Sequence, residues 1–335
     1  MKYEFASAEH IGDRKEQQDR VALSSHSRHE DVVIAVLADG MGGHKGGALA
    51  SQAVVDAVLP MFEAFDPSTG LVADWLKGMV MAAHHKVAAA GHGKNRDPRS
   101  TCVIALASKD RIDWVHCGDS RLYFFRNGQF ETRTEDHSMV GILVKQGEIS
   151  EEEALVHPDR SKLFTSLGGP EPPQLSFGSL ESVAAGDTLL LASDGLWTYF
   201  RKHELAVLTG YRSLTEACDR LVSLARRRAA GSGDNISIAM LRRPEPVRRG
   251  LLGALFSNSS KPVLPSPIED SRRFLLSYLR GIPGAAPKSI ALHVEECATP
   301  LEMRSLIEES EATFVALTSK SKAQAFCARA LDLLD

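Results

Sequence analysis

Five acids recur in one kind of setting, each closing a run of chain beside a small or polar residue. They are Gln18-Asp19, Asp39-Gly40, Gly118-Asp119-Ser120, Ser193-Asp194-Gly195 and Gly233-Asp234-Asn235. Carboxylates at strand ends suit hard divalent ions such as Mg²⁺ or Mn²⁺, which take several oxygen ligands and keep some of their waters. Two such ions about 3.5–4 Å apart can share one carboxylate and activate a bridging water for in-line attack on phosphorus. Arg14, in the polar turn before Asp19, is placed to supply a bidentate contact to a phosphate. A single Asp-Gly is more simply a turn, and a single arginine a solvated charge. The ensemble is what points to metal chemistry.

These residues need rigid supports. The run from Val32 to Ala38 is continuously apolar, as in a strand buried on both faces, so Asp39 leaves the core on a fixed base. Residues 2–8 and 20–24 read as two further strands, with the polar turn 12–19 between them. Residues 46–65 carry Leu49, Ala50, Ala53, Val54, Ala57 and Val58 at helical spacing. Residues 71–90 repeat the pattern through Trp75, Met79, Val80, Ala83 and Val87, with His84 and His85 expected on the helix surface. Strands follow at 101–107, 112–117 and 121–125, and Asn127-Gly128 is a tight-hairpin signal. Ser150 with Glu153 forms a capping box opening a short helix. Strands at 175–180, 188–192 and 235–241 frame helices at 203–208 and 214–229. Strands, two helices and a meander imply an α+β fold with helices layered on antiparallel sheets, rather than regular βαβ winding.

Composition removes several classes of function. With 335 residues the chain exceeds one compact domain, and its formal net charge of −4 gives no electrostatic case for nucleic acid or an anionic membrane. The five cysteines are scattered without a paired motif, as buried thiols in a reducing compartment would be. The first ten residues lack the apolar centre of a signal peptide, and no apolar run reaches spanning length. A cytoplasmic, monomeric protein is expected. The glycine-rich turn after Asp39 fails the dinucleotide spacing and no Gly-Lys-Ser/Thr follows it, which excludes a nucleotide loop. His137, just before a helical stretch, reads as a hydrogen-bonding or capping residue.

Seven motifs taken in order resemble a known family. They are Gly12-x-Arg14-x-x-Gln17-Gln18-Asp19, Ala38-Asp39-Gly40-Met41-Gly42-Gly43-His44, Ser100-Thr101, His116-x-Gly118-Asp119-Ser120-Arg121, Asp136-His137-Ser138, Ala192-Ser193-Asp194-Gly195-Leu196-Trp197 and Gly233-Asp234-Asn235. Together they resemble the metal-dependent type 2C Ser/Thr protein phosphatases, bacterial branch, over residues 1–243. The resemblance implies a four-layer α-β-β-α sandwich of two antiparallel sheets flanked by helix pairs, with a flap at residues 139–165. It also implies two core ions, Mn²⁺ or Mg²⁺. Asp39 would bridge them, Asp194 and Asp234 would bind the first, and the Gly40 carbonyl the second. Asp19 would hold waters of the second ion or bind it directly. Asp119, with Asp194, would hold a third, weaker ion, and Arg14 the substrate phosphate. The implied substrates are phosphoserine and phosphothreonine proteins of a Ser/Thr kinase system.

Two positions depart from the family pattern. Many eukaryotic members carry a histidine after the bridging Asp-Gly, where this sequence has Met41; water on the metal and His44 are the remaining candidates for leaving-group acid. Gln17 stands where bacterial relatives usually have Asn. A non-catalytic relative kept as a binding module, and a different metal-dependent phosphoesterase, are the competing functions.

At residues 242–246 the periodicity stops, so a linker is expected over 244–267. Within and beside it Leu251-Leu252-Gly253-Ala254-Leu255-Phe256 follows Arg248-Arg249, a patch expected to pack on the first domain. Residues 268–335 read as a small α/β segment, for which a regulatory role is expected. Helices are expected at 271–279, 300–309 and 322–334, and strands at 290–294 and 312–317.

Overall fold

The apolar runs form strands in two sets. A computed structural model of the chain describes residues 3–41, 46–91, 97–211, 213–244, 267–279, 285–297, 300–317 and 320–334. In chain order the first elements are β1 (Glu4–His10), β2 (Asp19–Ser25), β3 (Val32–Met41), α1 (Gly46–Ala64) and α2 (Val72–Gly91). Next come β4 (Arg99–Ser100), β5 (Cys102–Ser108), β6 (Arg111–Cys117), β7 (Arg121–Arg126), β8 (Gln129–Arg133), α3 (Met139–Gln146) and α4 (Glu151–Val156). Then follow β9 (Ser176–Leu180), β10 (Thr188–Ala192), α5 (Asp194–Trp197), α6 (Lys202–Thr209), α7 (Leu214–Ala229) and β11 (Ile236–Arg242). One antiparallel sheet runs β1-β11-β10-β7-β8 and the other β2-β3-β5-β6-β9, with β4 paired to β3.

Period-two alternation sorts the side chains into layers. In β3, Val33, Ala35 and Leu37 face the other sheet, packing in one cluster with Leu122, Phe124, Leu189, Leu191 and Leu241. Val32, Ile34, Val36 and Ala38 face the opposite way, onto Val54 and Phe62 of α1 and Met79 and Val80 of α2. On the second sheet Leu190, Ala192, Ile238 and Met240 pack against Leu205 of α6 and Leu214 and Leu221 of α7. The result is the expected four layers, helix, sheet, sheet, helix.

Local signals behave as read, with two corrections. Asn127 and Gly128, at φ 50° and 71°, make the two-residue turn between β7 and β8. The Ser150 hydroxyl accepts from the Glu153 amide at 3.1 Å while the Glu153 carboxylate accepts from the Ser150 amide at 2.8 Å, completing the capping box. Leu49, assigned to the buried face of α1, is exposed, because the stripe is centred on Ala50, Val54 and Val58 and leaves Leu49 on its flank. His84, assigned to the surface of α2, is buried. It continues the four-residue row of Leu76 and Val80, and its Nδ1 accepts the Gly168 amide at 3.2 Å.

The chain divides into two compact units, Met1–Arg248 and Arg249–Asp335. The expected linker and the Leu251–Phe256 patch fall on residues 245–266, which lie outside the described residues. The second unit corrects the α/β expectation for 268–335. Its described residues form four helices, α8 (Pro267–Leu279), α9 (Ala285–Glu296), α10 (Pro300–Leu317) and α11 (Lys320–Asp332). Residues 290–294 were read as a strand from a short apolar run. In a strand Ile290, Leu292 and Val294 would share one face. Here Ile290 and Val294, four apart, are buried while Leu292 is 56% exposed, which is helical spacing. Residues 312–317 likewise extend α10, because Met303, Ile307 and Phe314 form one buried row. Their core joins Leu275, Val294, Ile307, Phe314 and Phe326. Among the described residues, no helix is long and apolar enough to cross a membrane.

The helical reading of 290–294 separates two substitutions. Leu292→Lys is expected to shift stability by less than about 0.5 kcal/mol. Val294→Lys, which places an unpaired charge in the core, is expected to cost about 3 kcal/mol or more. Thermal denaturation followed by circular dichroism distinguishes them, and equal losses would restore the strand.

Candidate active site

Strand register assembles the acids. β2 and β3 run antiparallel with Asp19 directly opposite Asp39. Asp119 lies in the turn from β6 to β7, Asp194 opens α5 immediately after β10, and Asp234 stands just before β11. Since β10 and β11 are antiparallel neighbours, Asp194 and Asp234 leave the same end of the second sheet. Asp19 and Asp119 are buried, whereas Asp39, Asp194 and Asp234 are half-buried and remain within reach of solvent.

Crowding like charges where water is scarce disfavours ionisation. Burial pushes the Asp39 carboxyl well above the usual carboxylate range, and Asp19, Asp194, Asp119 and Asp234 all add to the effect. Asp119 rises for the same first reason, with Asp194 and Asp136 adding to it. Asp194 is pushed up to about 6, by burial and then by Asp234. Asp19 is also raised well above its ordinary value, chiefly by burial; the Ser193 and Ser237 hydroxyls partly offset this. Among the described residues, Asp19 Oδ2 nevertheless is buried without a hydrogen-bond donor.

A stranded carboxylate oxygen beside Asp39, Asp194 and Asp234 is an environment that a divalent cation relieves, so the donor set fits hard-ion chemistry. The oxygens on hand are the carboxylates of Asp19, Asp39, Asp119, Asp194 and Asp234 and the Gly40 carbonyl. Gly40 is fixed in place, its amide donating to the Gln18 carbonyl at 3.1 Å. Among the described residues, no three acid, cysteine or histidine side chains form a ready-made cage.

Arg14 reaches this group through Asp234, its Nη2 donating to Asp234 Oδ2 at 2.5 Å from a side chain that is 61% exposed. That bond raises the guanidinium pKa further, and Asp194 and Asp39 lie within its electrostatic reach. The loop carrying Arg14 is laced to the Asp234 loop. Asn235 Oδ1 accepts the Gln18 amide at 2.8 Å, and Asn235 Nδ2 donates to the Ile11 and Glu16 carbonyls at 2.8 and 3.1 Å. Asp13 Oδ2 accepts the Gly233 amide at 2.7 Å. Gly12 is required between them, since its φ is +65° and a Cβ there would stand 2.0 Å from the Asp234 carbonyl oxygen. Gln17, the departure from the family pattern, supports the loop through Oε1, which accepts the Asp19 amide at 3.1 Å.

The Asp119 turn is tied to α5, where Trp197 Nε1 donates to the Asp119 carbonyl at 3.0 Å. The Arg121 guanidinium lies 3.5 Å over the Trp197 ring and grips Asp136 through two bonds of 2.8 and 2.6 Å. Asp136 leads into the segment 139–165, where Glu151 of α4 meets Arg133 and Lys202 at 3.2 and 2.8 Å. Arg160, in the same segment, acts electrostatically on both Asp194 and Tyr199. Sequence reasoning did not single it out, because an arginine in an irregular loop carries no spacing signal. His137 is the hydrogen-bonding residue expected, with Nε2 and the Ser176 Oγ 2.9 Å apart and Nδ1 accepting the Gly118 amide at 3.3 Å. The cap of α3 is Ser138, whose Oγ accepts the Gly141 amide at 3.0 Å. Met41 ends β3 opposite Arg99, and His44 lies outside the described residues.

With this geometry in place, the comparisons are unambiguous. The profile of the family Protein phosphatase 2C matches residues 7–230. A putative protein phosphatase 2C-type of Streptococcus pyogenes serotype M6 is 31% identical over 232 residues, spanning 68% of this chain and 93% of that protein. The crystal structure of the Mycobacterium tuberculosis serine/threonine phosphatase PstP/Ppp superposes with a TM-score of 0.65 at 30% identity, covering 73% of this chain and all of that one. The PstP catalytic domain in complex with two manganese ions gives a TM-score of 0.62 at 29% identity, covering 72% and 99%. The chain belongs to the protein phosphatase 2C family. Within it, the chain is a serine/threonine protein phosphatase of the bacterial kind.

Burial, followed by the stacked His116 ring 4.5 Å away, pushes the His137 pKa down to about 4. An unfolded histidine titrates near 6.5, so the native state binds fewer protons between these values and loses stability as pH falls from about 6.5 to 4. Tm is expected to fall over this range by on the order of 5 °C more in the wild-type protein than in His137→Asn. Parallel pH profiles of the two would remove His137 as the cause.

Proposed function

We propose that this chain hydrolyses phosphoserine and phosphothreonine esters of proteins with Mn²⁺ or Mg²⁺ and without a phosphoenzyme, reversing Ser/Thr kinase signalling in a bacterial cytoplasm. The observation that carries this reading is the placing of Asp19, Asp39, Asp194 and Asp234 at adjoining strand ends of two sheets, with Arg14 directed into the group. Asp39 is assigned as the bridge between two ions, Asp194 and Asp234 as ligands of one, and the Gly40 carbonyl and Asp19 as support for the other. Asp119 is assigned, with Asp194, to a third and weaker ion.

When bound, such ions lower the pKa of a water and stabilise charge developing on the phosphoryl oxygens. The chain's own residues do the rest. Arg14 is exposed and can exchange Asp234 for a phosphate, which its planar donors match in two bonds. The lacing by Asn235 holds Arg14 and Asp19 in fixed relation, so binding does not have to order the loop. No side chain is assigned to protonate the leaving serine or threonine, since the Met41 thioether carries no acidic proton. For the helical unit, which lies beyond the matched residues 7–230, we propose regulation or partner docking.

The test is phosphate release from a phosphothreonine peptide by the purified full chain. Mn²⁺ is expected to be required and chelation to abolish turnover; full activity after removal of divalent metal would overturn the reading. Asp194→Asn removes several kcal/mol of charge stabilisation and is expected to lower kcat by at least about 100-fold. Arg14→Ala forfeits a charge-assisted contact of about 1.5–3 kcal/mol, and is expected to lower kcat/KM by roughly 10–100-fold. Faster turnover of small phosphoesters than of phosphopeptides would indicate a different phosphoesterase on the same scaffold.

A further inference from the structure

Thr101 touches the Asp39 strand and the Asp119 turn at once. The Asp39 amide donates to Thr101 Oγ1 at 3.0 Å, and the Thr101 amide returns a bond to the Asp39 carbonyl at 2.9 Å. Ser100 Oγ donates to the same carbonyl at 3.1 Å. The Thr101 hydroxyl is also 2.7 Å from Ser120 Oγ, in the residue next to Asp119. Its methyl fills the space beside Gly118, where φ is +105° and an added Cβ would lie 2.7 Å from Thr101 Cγ2. Ser100, Thr101 and Ser120 are all buried to within 1%. Both chemical features of this threonine are therefore engaged, the hydroxyl between two acid-bearing segments and the methyl under the turn between them.

We infer that Thr101 is the positioning residue that sets Asp119 against Asp39, so that its hydroxyl governs how well the weaker ion at Asp119 is held beside the two-ion core. Neither Thr101 nor Ser120 need touch substrate or ion. A buried hydroxyl bridging two segments fixes both in one relative placement, because the alternative is an unsatisfied polar group in the interior. Partners that orient ligands in this way are typically worth about 10–100-fold in metal affinity. Within the bridge, valine preserves the methyl and removes the hydroxyl, serine does the reverse, and Ser120→Ala removes the partner.

The inference rests on the proposed assignment of Asp119 to a weaker ion, and one experiment separates the two. Metal-free full-length protein is titrated with Mn²⁺ by calorimetry for the wild type, Asp119→Asn, Thr101→Val, Thr101→Ser and Ser120→Ala, with circular dichroism confirming the fold. Asp119→Asn is expected to remove the weaker class of sites. Thr101→Val is expected to weaken that class by about 10–100-fold while changing the tight class by less than about threefold. Thr101→Ser should stay within about threefold of the wild type, and Ser120→Ala should follow Thr101→Val. If Asp119→Asn alters the weaker class and neither Thr101→Val nor Ser120→Ala does, the positioning role is wrong. If Asp119→Asn leaves the titration unchanged, the assignment of Asp119 falls and the inference with it. Should Thr101→Val not fold, Ser120→Ala alone decides.

Discussion

Repulsion among five carboxylates governs this site. Asp39 experiences Asp19, Asp194, Asp119 and Asp234 together, in addition to the cost of its own partial burial. Left to side-chain freedom these groups would move apart, so the backbone has to hold them. The two-sheet core does so: Asp39 follows seven consecutive buried residues of β3, whose alternate faces pack into two separate clusters. Asp194 and Asp234 flank neighbouring strands of the other sheet. Packing between the sheets thus converts apolar burial into a fixed placement of charge.

The loops contribute a different kind of restraint. Ile11 to Gln18 has no core cluster of its own, and Asn235 substitutes for one by spending its whole amide on three backbone groups of that stretch. The Asp119 turn is seated from two directions, by Trp197 on its carbonyl and by Thr101 against Gly118. In both cases a residue adjacent in sequence to one acid, or three beyond it, fixes the backbone of another, so the acids are positioned as a set.

How much of this could be read from the sequence follows from the range of each interaction. Continuous apolar runs, the Asn127-Gly128 turn and the Ser150 capping box are local, and they were legible. The acids stood out because each sits where a run ends, and their order matched a family. Neither the Asn235 lacing nor the electrostatic role of Arg160 is local: one joins residues about 220 apart, and the other depends on how an irregular segment folds back. His84 looked polar and therefore exposed, although its place in the row of Leu76 and Val80 already implied burial. In the last unit, short apolar runs fit a strand or one helical face equally well, and the exposure of Leu292 and the buried row of Met303, Ile307 and Phe314 decide between them.

The pairing of β1 with β11 carries a consequence for synthesis. The first strand of the chain finds its partner in the last strand of its unit, with Glu4 opposite Arg242 and His10 opposite Ile236. Until β11 has been translated and released from the ribosome, β1 lacks its one sheet neighbour among the described residues, and the Arg14 loop lacks Asn235. The full set of acids therefore cannot be gathered before this strand has been made. In a chain still tethered short of this strand, the first sheet lacks part of the frame that brings Asp194 and Asp234 to Asp19 and Asp39.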